Sequence, residues 1–176
     1  MIKFALFLLA FFISPVFALS LFGQDLQQIS RDDMRSAIKK NGAILIKEAG
    51  SDGFFDEYKS QNLLPGSSRL YVGYEKQDNK LAFVEYAFDG LSHPHLMPML
   101  AEKYGKPQKI RARYQSDVQY KWQVEGVQIL LYQDWSSYKV RLVYSLPQNL
   151  SMLRHEYRLS MLKEMGSRRT GSELAY

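Results

Sequence analysis

Residues 118–124 carry apolar side chains at Val118, Tyr120, Trp122 and Val124 in strict alternation with Gln119, Lys121 and Gln123. Successive side chains of an extended strand point to opposite faces, so this period of two describes a strand with one face against a core and the other polar. Glu125-Gly126 is a tight turn into a second extended segment, 127–134. Ser136-Ser137 turns the chain again into 138–146, where Tyr138, Val140, Leu142 and Tyr144 share a face. Strands joined by turns this short pair antiparallel, because a parallel neighbour needs a crossover of about a dozen residues or more.

The first half is organised in the same way. Ser30 can cap the Asp33 N–H while the Asp33 carboxylate reaches back, a capping box with Asp in place of Glu. Ile29 and Met34 occupy the staple positions, Met34, Ala37 and Ile38 fall on one helical face, and Asn41-Gly42 ends the helix. Before it, Leu21-Phe22-Gly23 and Leu26 form an apolar lead-in expected to pack across a sheet. Extended segments follow at 43–48, 54–59, 69–75 and 81–88, separated by Gly50-Ser51-Asp52-Gly53, by Leu64-Pro65-Gly66 and by Gln77-Asp78-Asn79. A second helix runs from about Pro94 to Tyr104, with Pro98 drawing its expected start further along the chain, and Gly105 and Pro107 stop it. After a short strand at 109–114 and the three alternating segments, a last helix is expected over 148–165, with Leu150, Leu153 and Tyr157 on one side. Gly166 ends it, and 167–176 reads as a flexible tail.

Hydrophobic residues make up 46% of the chain and charged residues 23%, enough apolar side chain for one core and too much for a disordered chain. The expected fold class is α+β: antiparallel sheet with helices packed on one face, as a single domain over 19–166. Sliding one half over the other places Ala82, Val84, Tyr86 and Phe88 on Val140, Leu142, Tyr144 and Leu146. Only the two tyrosines are identical there, so a tandem helix-plus-four-strand repeat over 19–92 and 93–166 is an expectation from pattern.

The second helix closes on Lys103-Tyr104-Gly105-Lys106-Pro107, helix, glycine and proline in succession. With that punctuation and its twofold order of helix and antiparallel sheet, the chain resembles the β-lactamase-inhibitor-protein-like architecture. It also resembles the single unit of the BamE-like outer-membrane assembly lipoproteins. The resemblance is one of topology across the mature chain. It implies a sheet face that binds a protein partner. The lipid-bearing cysteine of the BamE-like proteins has no counterpart in this sequence, so lipid anchoring is not implied.

Met1-Ile2-Lys3 is a short positive start, 4–13 is an unbroken apolar run, Ser14-Pro15 breaks it, and Val16-Phe17-Ala18 suits a signal peptidase. This is the pattern of a secretory signal, expected to be cleaved after Ala18. Its apolar run is shorter than the roughly 20 residues needed to span a bilayer. The expected location is therefore periplasmic or secreted, with no transmembrane anchor. The chain has no cysteine, which excludes disulfides, thiol catalysis and thiolate zinc sites, and leaves stability to the core alone. Its net charge is +5, mildly basic, and an exported chain of this charge meets anionic lipid, glycan or acidic protein before it meets nucleic acid.

Three groups of residues are candidate sites. Asp89, His93 and His95, the two histidines held by Pro94, could ligate a metal through imidazole and carboxylate. Lys103, Lys106, Lys109, Arg111 and Arg113 form the densest basic run, an anion-binding candidate whose alternative is a charged edge strand that discourages sheet-to-sheet pairing. Trp122, Tyr132, Trp135 and Tyr138 are candidate protein-binding aromatics, with core packing as their other use. Catalytic constellations are missing: Gly66-Ser67-Ser68 lacks the nucleophile-elbow spacing, and Asp52, Asp56 and Glu57, which could be drawn as a carboxylate pair for sugar cleavage, sit in and after a turn where acidic residues serve solubility and local hydrogen bonding. The expected function is a non-enzymatic, cofactor-free periplasmic protein that binds an envelope or periplasmic protein as adaptor or inhibitor, and does not bind nucleic acid. The alternative is a small-ligand or metal-binding module built on Asp89, His93 and His95.

Overall fold

The computed structural model describes residues 19–49, 55–75, 78–90, 93–111, 118–134 and 139–150. The leader-like segment 1–18, the turn expected at 50–53, the expected last helix beyond Leu150 and the expected tail 167–176 lie outside the described residues. A short hairpin, β1 (Ser20–Leu21) and β2 (Gln24–Asp25), leads into helix α1 (Arg31–Lys40). Four strands follow, β3 (Ile44–Lys47), β4 (Phe55–Lys59), β5 (Ser67–Tyr74) and β6 (Leu81–Phe88), then helix α2 (His93–Tyr104). The second four are β7 (Gln108–Arg111), β8 (Val118–Val124), β9 (Val127–Asp134) and β10 (Lys139–Ser145). The fold is α+β, as its sequence pattern implies. Among the described residues no helix is long and apolar enough to cross a membrane.

Strands β3 to β10 form one antiparallel sheet in the order β3-β4-β5-β6-β10-β9-β8-β7, so the two four-strand meanders meet at their last strands. Register carries one apolar face across the junction: Val72 pairs with Val84, Val84 with Tyr144, Tyr144 with Ile129 and Ile129 with Trp122. These side chains are nearly or fully buried. Met34 and Ile38 of α1, Leu96 and Leu100 of α2, and Leu19 and Leu26 beside the β1–β2 hairpin belong to the same buried cluster. Helices α1 and α2 and the N-terminal lead-in thus each contribute side chains to one buried cluster.

Local chemistry explains the element ends. Ser30 Oγ accepts from the Asp33 N–H at 3.2 Å and donates to Asp33 Oδ2 at 2.6 Å, so the capping carboxylate closes on the hydroxyl rather than on the Ser30 backbone. Ile29 and Met34 are both buried, and Gly42, at φ +92°, takes the left-handed position that ends α1. Glu125 and Gly126, at φ +48° and +80°, make the two-residue primed turn between β8 and β9. The Gln27 side-chain amide donates to the Glu125 carbonyl and ties the N-terminal lead-in to that turn. Helix α2 spans the expected range to within one residue, starting at His93, and keeps Pro98 inside rather than starting near it. Pro98 has no N–H for the preceding turn, a defect that costs about 3 kcal/mol in a helix interior. Burial of Leu96 and Leu100 to 5% and 2% exposure opposes that cost.

A polar cluster fixes α1 to the first meander. Asp56, fully buried on the core face of β4, accepts from Arg35 Nε at 2.7 Å and Arg35 Nη2 at 2.9 Å. It also accepts from the Ala49 N–H at 2.7 Å and the Tyr58 hydroxyl at 3.2 Å, with Arg31 Nη2 3.7 Å away. Burial alone would raise the Asp56 pKa, but the Arg35 hydrogen bonds, the Ala49 amide and the two guanidinium charges outweigh it and hold the carboxyl below its ordinary value. Truncating one partner of a buried pair strands the others. Asp56→Ala is therefore expected to cost about 3–5 kcal/mol in urea unfolding. The lowered pKa makes the ion pair's contribution complete above the unfolded carboxyl value of about 3.9 and lost as pH falls through the folded one. The stability gap between the wild type and Asp56→Asn should accordingly narrow below about pH 4; a gap that stays constant to lower pH contradicts this account.

Candidate protein-docking face

The second face of the large sheet is built from the residues between the core positions, and register lays them out in rows. One row runs Phe55, Gly73, Phe83, Ser145, Gln128, Gln123. The next runs from Lys47 through Glu57, Tyr71, Glu85, Val143 and Leu130 to Lys121. A third runs Lys59, Arg69, Ala87, Arg141, Tyr132, Gln119. Tyr71, Phe83, Leu130 and Tyr132 are half-buried.

Glycine at 73 has a steric reason. The Phe83 ring lies over it so closely that a Cβ there would stand 2.1 Å from Phe83 Cε1. The aromatic ring covers the strand where no side chain projects, so Gly73 and Phe83 act as one unit of surface. Tyr71 beside them receives the Phe55 ring edge-on at 5.6 Å and the Arg141 guanidinium at 5.7 Å from its centroid. Arg141 also pairs with Glu85, and Arg69 Nε with Glu57 Oε1 at 3.0 Å. Burial, with the nearby Glu57 charge, raises the Tyr71 pKa, so the phenol stays a neutral donor at physiological pH. The result is an aromatic field with its arginines held by carboxylates of the same face, the composition from which interface anchors are made.

The sequence candidates are distributed unevenly over this geometry. Tyr132 lies on the second face. Trp122 does not: it is 3% exposed, packs edge-to-face with Tyr104 and donates Nε1–H to the Gly105 carbonyl at 2.8 Å, so the core has taken it. Trp135 and Tyr138 lie outside the described residues. In the basic run, Lys103 stands 5.1 Å from the Tyr104 ring centroid, and Lys106 and Lys109 are exposed. Strand β7, which holds Lys109 and Arg111, is an edge of the sheet, as the edge-strand reading requires, and Arg113 lies outside the described residues. Asp89 is paired with Lys139 at 3.0 Å, His95 is exposed, and the His93 side chain lies outside the described residues. Among the described residues no three His, Cys, Asp or Glu side chains gather as a metal site. Asp56 and Glu57 fall on opposite faces of the sheet, so they cannot flank one glycosidic bond, and Asp52 lies outside the described residues.

The residues sequence reasoning passed over are Tyr71, Phe83, Arg69 and Arg141. Their signal was available as the off-face half of two alternations, Arg69-Tyr71-Gly73 against Leu70-Val72-Tyr74, and Phe83-Glu85 against Val84-Tyr86. Comparison of the chain with protein-family models, with curated proteins and with solved structures returns no match.

The Gly73–Phe83 unit yields a direct test. Gly73→Ala should destabilise by about 1–3 kcal/mol because the new Cβ expels the ring. In a Phe83→Ala background the same change should be neutral or mildly stabilising, since Ala outranks Gly in a strand by about 0.5–1 kcal/mol. A double-mutant cycle from urea unfolding reads the coupling, and additive effects would refute the stacking.

Proposed function

We propose that this chain is a non-enzymatic protein-binding protein of the bacterial envelope, an adaptor or inhibitor that engages another protein through the second face of its sheet. The observation that carries this reading is the distribution of elements. The hairpin, α1 and α2 all contribute to the core cluster of the first face. The second face holds half-buried aromatics and arginines, while Met34 and Ile38 of α1 and Leu96 and Leu100 of α2 belong to the core cluster. The leader-like pattern of residues 1–18 supports a periplasmic setting. Two meanders meeting at β6 and β10 support a duplicated helix-plus-sheet ancestry. That is the arrangement in which the inhibitor-like proteins bind a partner through a sheet, and the resemblance noted in the sequence favours the same use.

The test is capture from native envelope extract with tagged full chain, run beside a Tyr71→Ser, Tyr132→Ser variant and a Met99→Ser control on exposed α2. The expected result is a near-stoichiometric protein partner lost about tenfold or more by the face variant and kept by the control, with unfolding midpoints confirming that both fold. Capture that ignores the face variant would move the binding site elsewhere.

A further inference from the structure

We infer that the partner presents an apolar centre flanked by acidic residues, a surface about 30 Å across whose carboxylates meet Lys47 at one end and Lys121 at the other; this rests on the docking reading above. Within the second face the carboxylates are already committed. Glu57 holds Arg69, Glu85 holds Arg141, and Asp89 holds Lys139, which also faces Asp134 by register. Three lysines of the face make no ion pair among the described residues: Lys59, Lys121 and Lys47, the last of which faces Glu57 by register while Glu57 is held by Arg69. Lys47 is exposed, its Nζ 5.9 Å from the Phe55 centroid, and Lys59 is exposed beside it in the next row.

Their positions define what would fit. Lys47 and Lys121 lie in the same row, with Glu57, Tyr71, Glu85, Val143 and Leu130 between them and Gln108 of the edge strand beyond Lys121. The strand order puts β3 and β8 six strand spacings apart, about 29 Å at the usual spacing between neighbours. That is roughly the width of an interface patch of about 800 Å². A small anion cannot reach both ends. A uniformly anionic membrane would press its headgroups against Glu57 and Glu85 in the middle of the row, whereas a protein with an apolar centre and acidic ends meets each part with its complement. The chain's own remaining segment is a poor occupant on charge, because residues 151–176 hold five Lys or Arg against three Glu.

The experiment titrates the full chain with two fluorescent nine-residue peptides sharing a Phe-Leu-Trp-Leu-Phe centre, one with two Glu at each end and one with two Lys. Fully extended, each reaches about 30 Å. At about 50 mM salt, where surface charge is least screened, the Glu-ended peptide should bind about tenfold more tightly or better. Lys47→Glu with Lys121→Glu should reverse that preference, while Lys103→Glu with Lys109→Glu, the same charge change away from the face, should alter it by about twofold at most. Equal binding of the two peptides, or equal effects of the two double variants, would overturn the inference. So would binding to phosphatidylglycerol vesicles that Lys47→Glu with Lys121→Glu abolishes, which would assign the lysines to a membrane surface. If the face variant Tyr71→Ser, Tyr132→Ser releases a captured partner while these preferences are missing, the acidic-partner inference fails alone. If capture ignores that variant too, the docking reading fails with it.

Discussion

The pairing of β6 with β10 is the constraint on which the rest of the architecture depends. Each strand is the last of a four-strand meander, and six consecutive pairs from Phe88–Val140 to Phe83–Ser145 join them. Because side chains alternate, a slip of one residue here would send Val140, Leu142 and Tyr144 to the second face and bring Arg141 and Val143 into the core. Burying Arg141 away from Glu85 would strand a charge, so the penalty against slippage is electrostatic as well as hydrophobic. The same register aligns the two meanders' second faces into continuous rows. The continuous second face is therefore a consequence of the central pair and is not assembled by either half alone.

The cluster at Asp56 plays a different part. A helix presenting only Met34, Ala37 and Ile38 to a sheet could slide by a turn with modest loss. Arg35 and Arg31, reaching from α1 to one buried carboxylate, remove that freedom, since any shift leaves Asp56 without its donors. The Ala49 amide on the same carboxylate fixes the chain just after β3. This placement also explains why a carboxylate next to Glu57 is not a catalytic candidate: Asp56 is saturated with donors and sealed from solvent, and alternation puts its neighbour on the other side.

Strand positions, the capping of α1 and the hairpin turns were legible because each is a local property: alternation, a serine before a helical stripe, a glycine at positive φ. The span of α2 was legible to within a residue, but Pro98 drew its expected start further along, a local preference that burial of Leu96 and Leu100 outweighs. The candidate face was only partly legible. Tyr132 could be singled out as an aromatic near a turn, but whether Trp122 or Tyr132 faced the core depended on which half of the β8 and β9 alternations was buried. One sequence gives the period of such a strand and not its phase relative to the helices. The ion pairs Arg69–Glu57 and Arg141–Glu85 join residues distant in sequence, 12 and 56 positions apart, and follow from register alone.

Those pairs also bear on how a sheet face can be both wet and ready to bind. A solitary arginine in a docking surface must be stripped of water when a partner arrives, and the cost is met only if the partner supplies a carboxylate in the right place. Here Arg69 and Arg141 are already hydrogen-bonded to acids of their own face, and Arg141 is also stacked toward Tyr71, so under the function proposed above they would enter an encounter in that state. Their side chains have lost much of their rotamer freedom in advance, so less entropy remains to be surrendered on association. The aromatic centre can then contribute through burial of apolar area. On the function proposed above, Lys47 and Lys121, which make no ion pair among the described residues, are left to select among partners by charge. On the function proposed above, affinity and selectivity are in this way divided between different residues of one face.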